Sequence, residues 1–298
     1  MKHPVAYALT LLLVVGCATG RFAPGPDTSE IESLPGYEGK IEVVTFPSSE
    51  PRLSERRMVV YLPPSYQTDR EKRYPVLYLL HGARCNEVTW IERGDAFRCL
   101  DSLRRDGRAG DFIVVLPNLN NYWGDRDYKN GHPQRPFRSV GFVTGEAERY
   151  FRQDVVARID SLYRTIPEKG SRALAGMSSG GMQAIHLSAD YPGDFGYVGL
   201  FSPYTRPLFT AWGHPDVYGG LKKKLGRQFS DPPREYVIYI GDEDIFYYEM
   251  NHFNRGLEKR GYEPHTLKIS PGGHKWYNWS AYLKDFYQII FRYGMSTV

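Results

Sequence analysis

From Tyr37 onward the chain alternates two kinds of apolar pattern. Lys40 to Phe46 and Arg56 to Leu62 alternate apolar and polar positions with a period of two, as half-buried strands paired near a sheet edge do. Pro63-Pro64-Ser65 closes the second of them. Val76 to Leu80 and Phe112 to Leu116 are instead unbroken apolar runs, the mark of strands covered on both faces. Arg172 to Ala175, Tyr197 to Phe201, Tyr236 to Ile240 and His265 to Ile269 add four more strands. Between them a helical period predicts helices over about 87–105, 145–164, 180–191, 245–260 and 276–291. Within the second, Phe151, Val155, Ile159 and Tyr163 fall on one face. Strands separated by helices imply an α/β fold, a mostly parallel sheet with helices on both faces.

Two stretches break this rhythm. Residues 118–141 are polar and aromatic, with Asn118, Asn120, Asn121, Tyr122, Trp123, Tyr128, His132 and Phe137; residues 204–233 are the other. Long connections in compact domains tend to carry function. Neither an internal repeat nor a linker is visible within 37–298, so a single domain is expected there.

Composition narrows the functional classes. The chain has 298 residues with a formal net charge of +4, from 38 basic and 34 acidic residues. That balance is too mild and too evenly spread for a nucleic-acid binder. Its one basic run, Lys222-Lys223-Lys224, reads as a solvated helix face. The 23 tyrosines suit sugars and phenolic rings, or simply a core.

The N-terminus changes the picture more. Lys2 and His3 precede an apolar stretch, Val5 to Val15, as long as a secretory h-region and too short to span a bilayer. It runs into Val14-Val15-Gly16-Cys17-Ala18. A small residue before a cysteine at this point resembles the lipobox of bacterial lipoproteins. The resemblance implies a signal peptide over 1–16, cleavage before Cys17 and a diacylglycerol anchor on its sulfur. Ala18 rather than Asp then implies sorting to the outer membrane of a Gram-negative cell. Residues 17–36, rich in Gly, Pro, Ser, Thr and Asp, read as a tether, which leaves 37–298 as the folded domain. Cys85 and Cys99 form an even pair in an oxidising compartment, either a disulfide or two buried thiols. No CxxC or closely spaced His pair accompanies them, so no metal site is expected.

The sharpest chemical signal is Leu174-Ala175-Gly176-Met177-Ser178-Ser179-Gly180-Gly181. Gly-x-Ser-x-Gly follows a predicted strand and opens a predicted helix, the context a nucleophile elbow requires. Taking Ser179 as the elbow serine instead would put Met177 at a glycine position. A serine hydroxyl needs an adjacent base oriented by a carboxylate, and on such a fold the chain order is Ser, acid, His. His274, in the turn Pro271-Gly272-Gly273-His274 after the last strand, fits the base. His252 falls within a predicted helix and His265 within a predicted strand, while His214 precedes the strand that should present the acid. The acid is one of Asp242, Glu243 and Asp244, which follow the strand ending at Ile240.

Four motifs now stand in order: Tyr74-Pro75-Val76-Leu77-Tyr78-Leu79-Leu80-His81-Gly82, Gly-x-Ser-x-Gly-Gly, Gly-x-x-Asp and Gly-Gly-His-x-Trp. Together they resemble the putative esterase family of the α/β-hydrolase superfamily, which includes esterase D, feruloyl esterases, enterochelin esterases and the antigen 85 mycolyltransferases. The resemblance spans about residues 40–293. It implies Ser178, Asp244 and His274 as a catalytic triad, with an oxyanion hole from the backbone N–H groups of Ser179 and Ala83. Many relatives carry further glycines where this chain has Ala83-Arg84-Cys85. It also implies a serine esterase that needs no cofactor. With the aromatic loop and the N-terminus, the expected substrate is a carbohydrate-linked ester, feruloyl or acetyl, met outside the cytoplasm. The alternatives are an enterochelin-type siderophore esterase and a catalytically silent lipoprotein that only binds polysaccharide.

Overall fold

The computed structural model describes residues 28–49, 55–83, 85–119, 145–206 and 215–291. The expected signal peptide, Cys17, the first part of the tether and most of the aromatic 118–141 stretch lie outside them. One sheet of eight strands organises the described chain: β1 Lys40–Pro47, β2 Glu55–Leu62, β3 Val76–Leu80, β4 Ile113–Pro117, β5 Arg172–Met177, β6 Tyr197–Phe201, β7 Glu235–Gly241 and β8 Thr266–Ser270. Their order is β1-β2-β4-β3-β5-β6-β7-β8. β1 pairs antiparallel with β2, and β2 antiparallel with β4; every other pairing is parallel. This is the α/β-hydrolase architecture expected from the strand–helix alternation.

The central strands read as continuous apolar runs because each is covered twice. Val76, Tyr78 and Leu80 of β3 face one core, against the helix Ser179–Asp190 and Phe151, Val155 and Ile159. Leu77 and Leu79 face the other, against Ala96–Arg105 and the C-terminal helix Trp276–Ile289. Strand order fixes where chemistry can sit. β4 lies on one side of β3, and the chain then crosses back to put β5 on the other side. The loops leaving the carboxyl ends of β3 and β5 therefore diverge, and such a switch point leaves a crevice.

Three expectations are corrected. The tether ends earlier than residue 36: Thr28–Glu32 is helical, and Ile31, only 1% exposed, is buried in the same core as Ile41. Glu32 accepts the Val43 N–H at 2.9 Å, which fastens the turn to β1. The helix expected over 87–105 is two, Thr89–Glu92 and Ala96–Arg105, broken where Asp95 adopts a left-handed φ of 50°. Of the two readings left open for Cys85 and Cys99, the structure has the thiols and no bridge. Cys85 sits in the loop leaving β3, whereas Cys99 lies on Ala96–Arg105, where burial pushes its thiol up to about 11. A disulfide demands Cα atoms within about 7 Å and converging Cβ vectors, a constraint composition does not encode. Lys224, finally, is no solvated charge. It donates to the Asp216 carbonyl at 2.7 Å and pairs with Asp190 at 2.7 Å. The tyrosine surplus also finds its place, since Tyr61, Tyr74, Tyr78, Tyr197, Tyr236 and Tyr287 are all fully buried.

Candidate active site

β5 ends at Met177, and the helix Ser179–Asp190 begins two residues later, so Ser178 must make the whole turn. It does so at φ 52°, ψ −116°, outside the regions that an L-residue ordinarily populates. The strain is held by its neighbours: the Ser178 N–H donates to the Phe201 carbonyl at 2.9 Å, and its own carbonyl accepts from Met182 at 3.0 Å. The flanking glycines are steric necessities. A Cβ on Gly176 would stand 2.5 Å from the Gly180 backbone, and one on Gly180 would stand 2.4 Å from the His81 carbonyl. The first turn of the helix is thus pressed against the end of β3. As the first helical residue, Ser179 has an N–H with no intrahelical acceptor, at the positive end of the helix dipole.

The structure brings Ser178, His274 and Asp244 together. His274 Nε2 lies 3.0 Å from Ser178 Oγ, and its Nδ1 lies 3.2 and 3.1 Å from the two Asp244 carboxylate oxygens. The Asp244 side chain is fully buried, and its Oδ1 accepts the Phe246 N–H at 3.0 Å. The edges of Phe246 and Trp279 meet the imidazole at ring separations of 5.3 and 4.8 Å. Those two ring contacts hold the plane of His274.

The other two carboxylates do different work. Asp242 is exposed and accepts the Gly272 N–H at 2.8 Å, while the Glu243 N–H donates to the Gly272 carbonyl at 3.0 Å. Both ties bind the acid loop to the turn that carries His274, and the Glu243 side chain points to solvent. The other candidate histidines do not join this path among the described residues. His252 is exposed on Tyr247–Glu258; His265, just ahead of β8 rather than within it, has its Nδ1 2.6 Å from the Tyr262 carbonyl; His214 lies outside the described residues.

On the oxyanion side, the turn after β3 passes next to the serine, since a Cβ on Gly82 would lie 3.5 Å from Ser178 Cβ. Ala83 follows, half-buried; Arg84 lies outside the described residues. Sequence reasoning missed what holds this turn. His81 is 5% exposed; its Nε2 accepts the Leu119 N–H at 3.1 Å, so its Nδ1 is the protonated nitrogen and donates to the Gly82 carbonyl at 2.8 Å. Burial lowers its pKa and keeps it neutral, as that pattern requires. Glu87, 1% exposed, accepts from Arg57 at 2.6 Å and from Asn118 at 2.6 Å. Both side chains therefore clamp the turn after β3 to the segment after β4. The His-Gly pair at a strand end was the available signal for His81; nothing local pointed to Glu87. Among the described residues no group of three His, Cys, Asp or Glu side chains is placed to hold a metal ion.

The chain is similar to several known proteins. The chain is 30% identical over 259 residues to an endo-1,4-beta-xylanase/feruloyl esterase of Xylanibacter ruminicola, an alignment covering 85% of this chain and 32% of that protein. It is 24% identical over 265 residues to endo-1,4-beta-xylanase Y of Acetivibrio thermocellus, covering 85% of this chain and 22% of that one. It thus spans about a third or less of the length of these two relatives. Among solved structures, a ferulic acid esterase superposes with a TM-score of 0.71 at 25% identity, covering 86% of this chain and 99% of the other. The model of one family, "Putative esterase", matches residues 49–239, well over half of the chain. By that match the chain belongs to the putative esterase family.

Proposed function

We propose that the chain is a serine carboxylic-ester hydrolase acting on carbohydrate-linked esters, feruloyl or acetyl groups on plant polysaccharide. The observation that carries the chemistry is the continuous path Ser178 Oγ–His274 Nε2, His274 Nδ1–Asp244. Ser178 attacks the ester carbonyl carbon while His274 Nε2 takes its proton. Asp244 holds the tautomer in which Nδ1 carries hydrogen and stabilises the imidazolium that forms. The tetrahedral oxyanion is received by the N–H groups of Ser179 and Ala83. His274 then protonates the departing alcohol, deprotonates a water, and that water releases the acid from Ser178. What supports the substrate class is the likeness to the Xylanibacter endo-1,4-beta-xylanase/feruloyl esterase and to a ferulic acid esterase.

A panel of methyl ferulate, acetylated xylan and ferric enterobactin tests the reading. Turnover of one of the first two with kcat/KM above about 10⁴ M⁻¹s⁻¹, and little of the third, is expected. Preference for ferric enterobactin would replace the substrate class with a siderophore ester, and inertness toward all three and toward p-nitrophenyl acetate would leave a binding protein.

The same proposal places the enzyme outside the cytoplasm on a lipid anchor at Cys17, in the outer membrane of a Gram-negative cell. Its support is the h-region Val5 to Val15 and Gly16 before Cys17. The protein is expected to fractionate with membranes and to incorporate labelled fatty acid, and Cys17→Ser is expected to abolish the label. A mature protein whose N-terminus is not Cys17 overturns the anchor.

A further inference from the structure

Tyr204 is 2% exposed and takes no part in the path from Ser178 to Asp244, yet it touches Ser179 beside the nucleophile and Phe246 beside the acid and base. Its hydroxyl lies 2.8 Å from Ser179 Oγ, and either group is able to donate. Its ring packs on Phe246 at 4.9 Å, and Phe246 meets the His274 ring at 5.3 Å and donates its N–H to Asp244.

The segment that carries Tyr204 is itself held from three sides. The Ser202 N–H donates to the Tyr239 carbonyl of β7 at 2.8 Å, with Ser202 at a left-handed φ of 47°. The Thr205 N–H and hydroxyl both donate to Glu249 Oε1, at 2.7 and 2.6 Å, from the helix that follows the acid. The Thr205 carbonyl accepts from His186 Nε2 at 2.9 Å, on the helix that follows the nucleophile; burial brings His186 down to about 4, so it stays neutral. A non-glycine residue at such a φ persists only where the surroundings over-determine it. Here they do so next to a tyrosine whose hydroxyl meets the first residue after the elbow serine.

A phenylalanine would fill the same volume without the cost of burying a hydroxyl, so the hydroxyl must be satisfied by what it binds. Burial pushes the phenol up to about 12, and it remains protonated at any working pH. Its partner is Ser179, whose backbone N–H is the proposed oxyanion donor.

We propose that Tyr204 is a positioning residue: through Ser179 it fixes the first turn behind the nucleophile, and through Phe246 it fixes the plane of His274. The inference rests on the catalytic reading of Ser178 and His274 given above. If it holds, the Tyr204 hydroxyl acts on the transition state rather than on ground-state binding, so kcat falls and KM does not move.

The experiment is a double-mutant cycle with p-nitrophenyl acetate on the folded enzyme. Tyr204→Phe and Ser179→Ala, which keeps the backbone N–H, are each expected to lower kcat by about 3- to 10-fold, the scale of one neutral hydrogen bond. Because both remove the same bond, the double variant should be no slower than the slower single variant. Tyr204→Leu, which also removes the ring beneath Phe246, should lose more than Tyr204→Phe. Wild-type kcat in Tyr204→Phe, multiplicative losses in the cycle, or a change confined to KM would overturn the proposal. Ser178→Ala separates this from the reading beneath it. Activity surviving Ser178→Ala sinks the catalytic assignment, whereas an inactive Ser178→Ala beside a fully active Tyr204→Phe sinks only the role of Tyr204. Should Tyr204→Leu fail to fold, the Phe and Ala variants still decide.

Discussion

Asp244→Asn is expected to leave the fold intact and to lower kcat by about 10⁴-fold, the scale of the same change in a serine protease. The carboxylate is fully buried and faces His274 Nδ1 through both oxygens. An amide that turns its NH₂ toward that nitrogen selects the tautomer with hydrogen on Nε2, and such an imidazole cannot accept the Ser178 proton. Ser178→Ala and His274→Ala are expected to be at least as damaging, and the three losses should not multiply, because the residues act as a unit. Asp242→Asn and Glu243→Gln are the controls. Asp242 accepts a backbone N–H that an amide oxygen also serves, and Glu243 contributes only its backbone. Both should keep most of the activity. Circular dichroism on each variant, with kcat on p-nitrophenyl acetate, makes the comparison. Near-wild-type turnover in Asp244→Asn with a dead Asp242→Asn would move the acid, and full activity in Ser178→Ala would remove the mechanism altogether.

Gly241→Ala, the closest clash among the described glycines, is expected to lower kcat by about 100-fold, the cost of a reacting group displaced by about an ångström. Gly241 ends β7 just before the acid loop, and a Cβ there would stand 1.9 Å from the Gly272 carbonyl oxygen and 3.1 Å from Asn278 Nδ2. The oxygen belongs to a backbone that cannot rotate aside, because the Gly272 N–H is bound by Asp242 and its carbonyl by the Glu243 N–H. The methyl therefore pushes the His274 turn away from the acid loop and opens the Nδ1 contact. Some stability is lost as well, about 1–3 kcal/mol for an overpacked site. Gly193→Ala, where an added Cβ meets nothing within 4 Å, should behave as wild type. A Gly241→Ala enzyme within a few-fold of wild-type kcat would show that the two loops slide without cost.

Strand positions were legible because burial on both faces forces continuous apolar runs. Val76 to Leu80 and Tyr197 to Phe201 are strands over those same residues. Ser178 was legible for a steric reason. A turn this tight excludes side chains at Gly176 and Gly180, so the demand is written in the neighbours of the serine itself. His274 followed from a glycine turn after the last strand. The break at Asp95 was hidden, because the apolar period runs on through Trp90, Phe97 and Leu100 as if one helix continued. The burial of Ile31 was hidden too, since a lone isoleucine among polar residues carries no period.

The amino-acid sequence by itself determined the strands, most of the helices and the elbow, because each depends on residues within a few positions of one another. Only the tertiary structure decided which carboxylate meets His274, across 30 positions, and that His274 reaches Ser178 across 96. It alone decided that Cys85 and Cys99 stay thiols and that Tyr204 stands under both halves of the site. These contacts depend on strand order. The chain places β5, β6 and β7 side by side and lets their carboxyl-end loops converge, and no local pattern states which side chain then points inward.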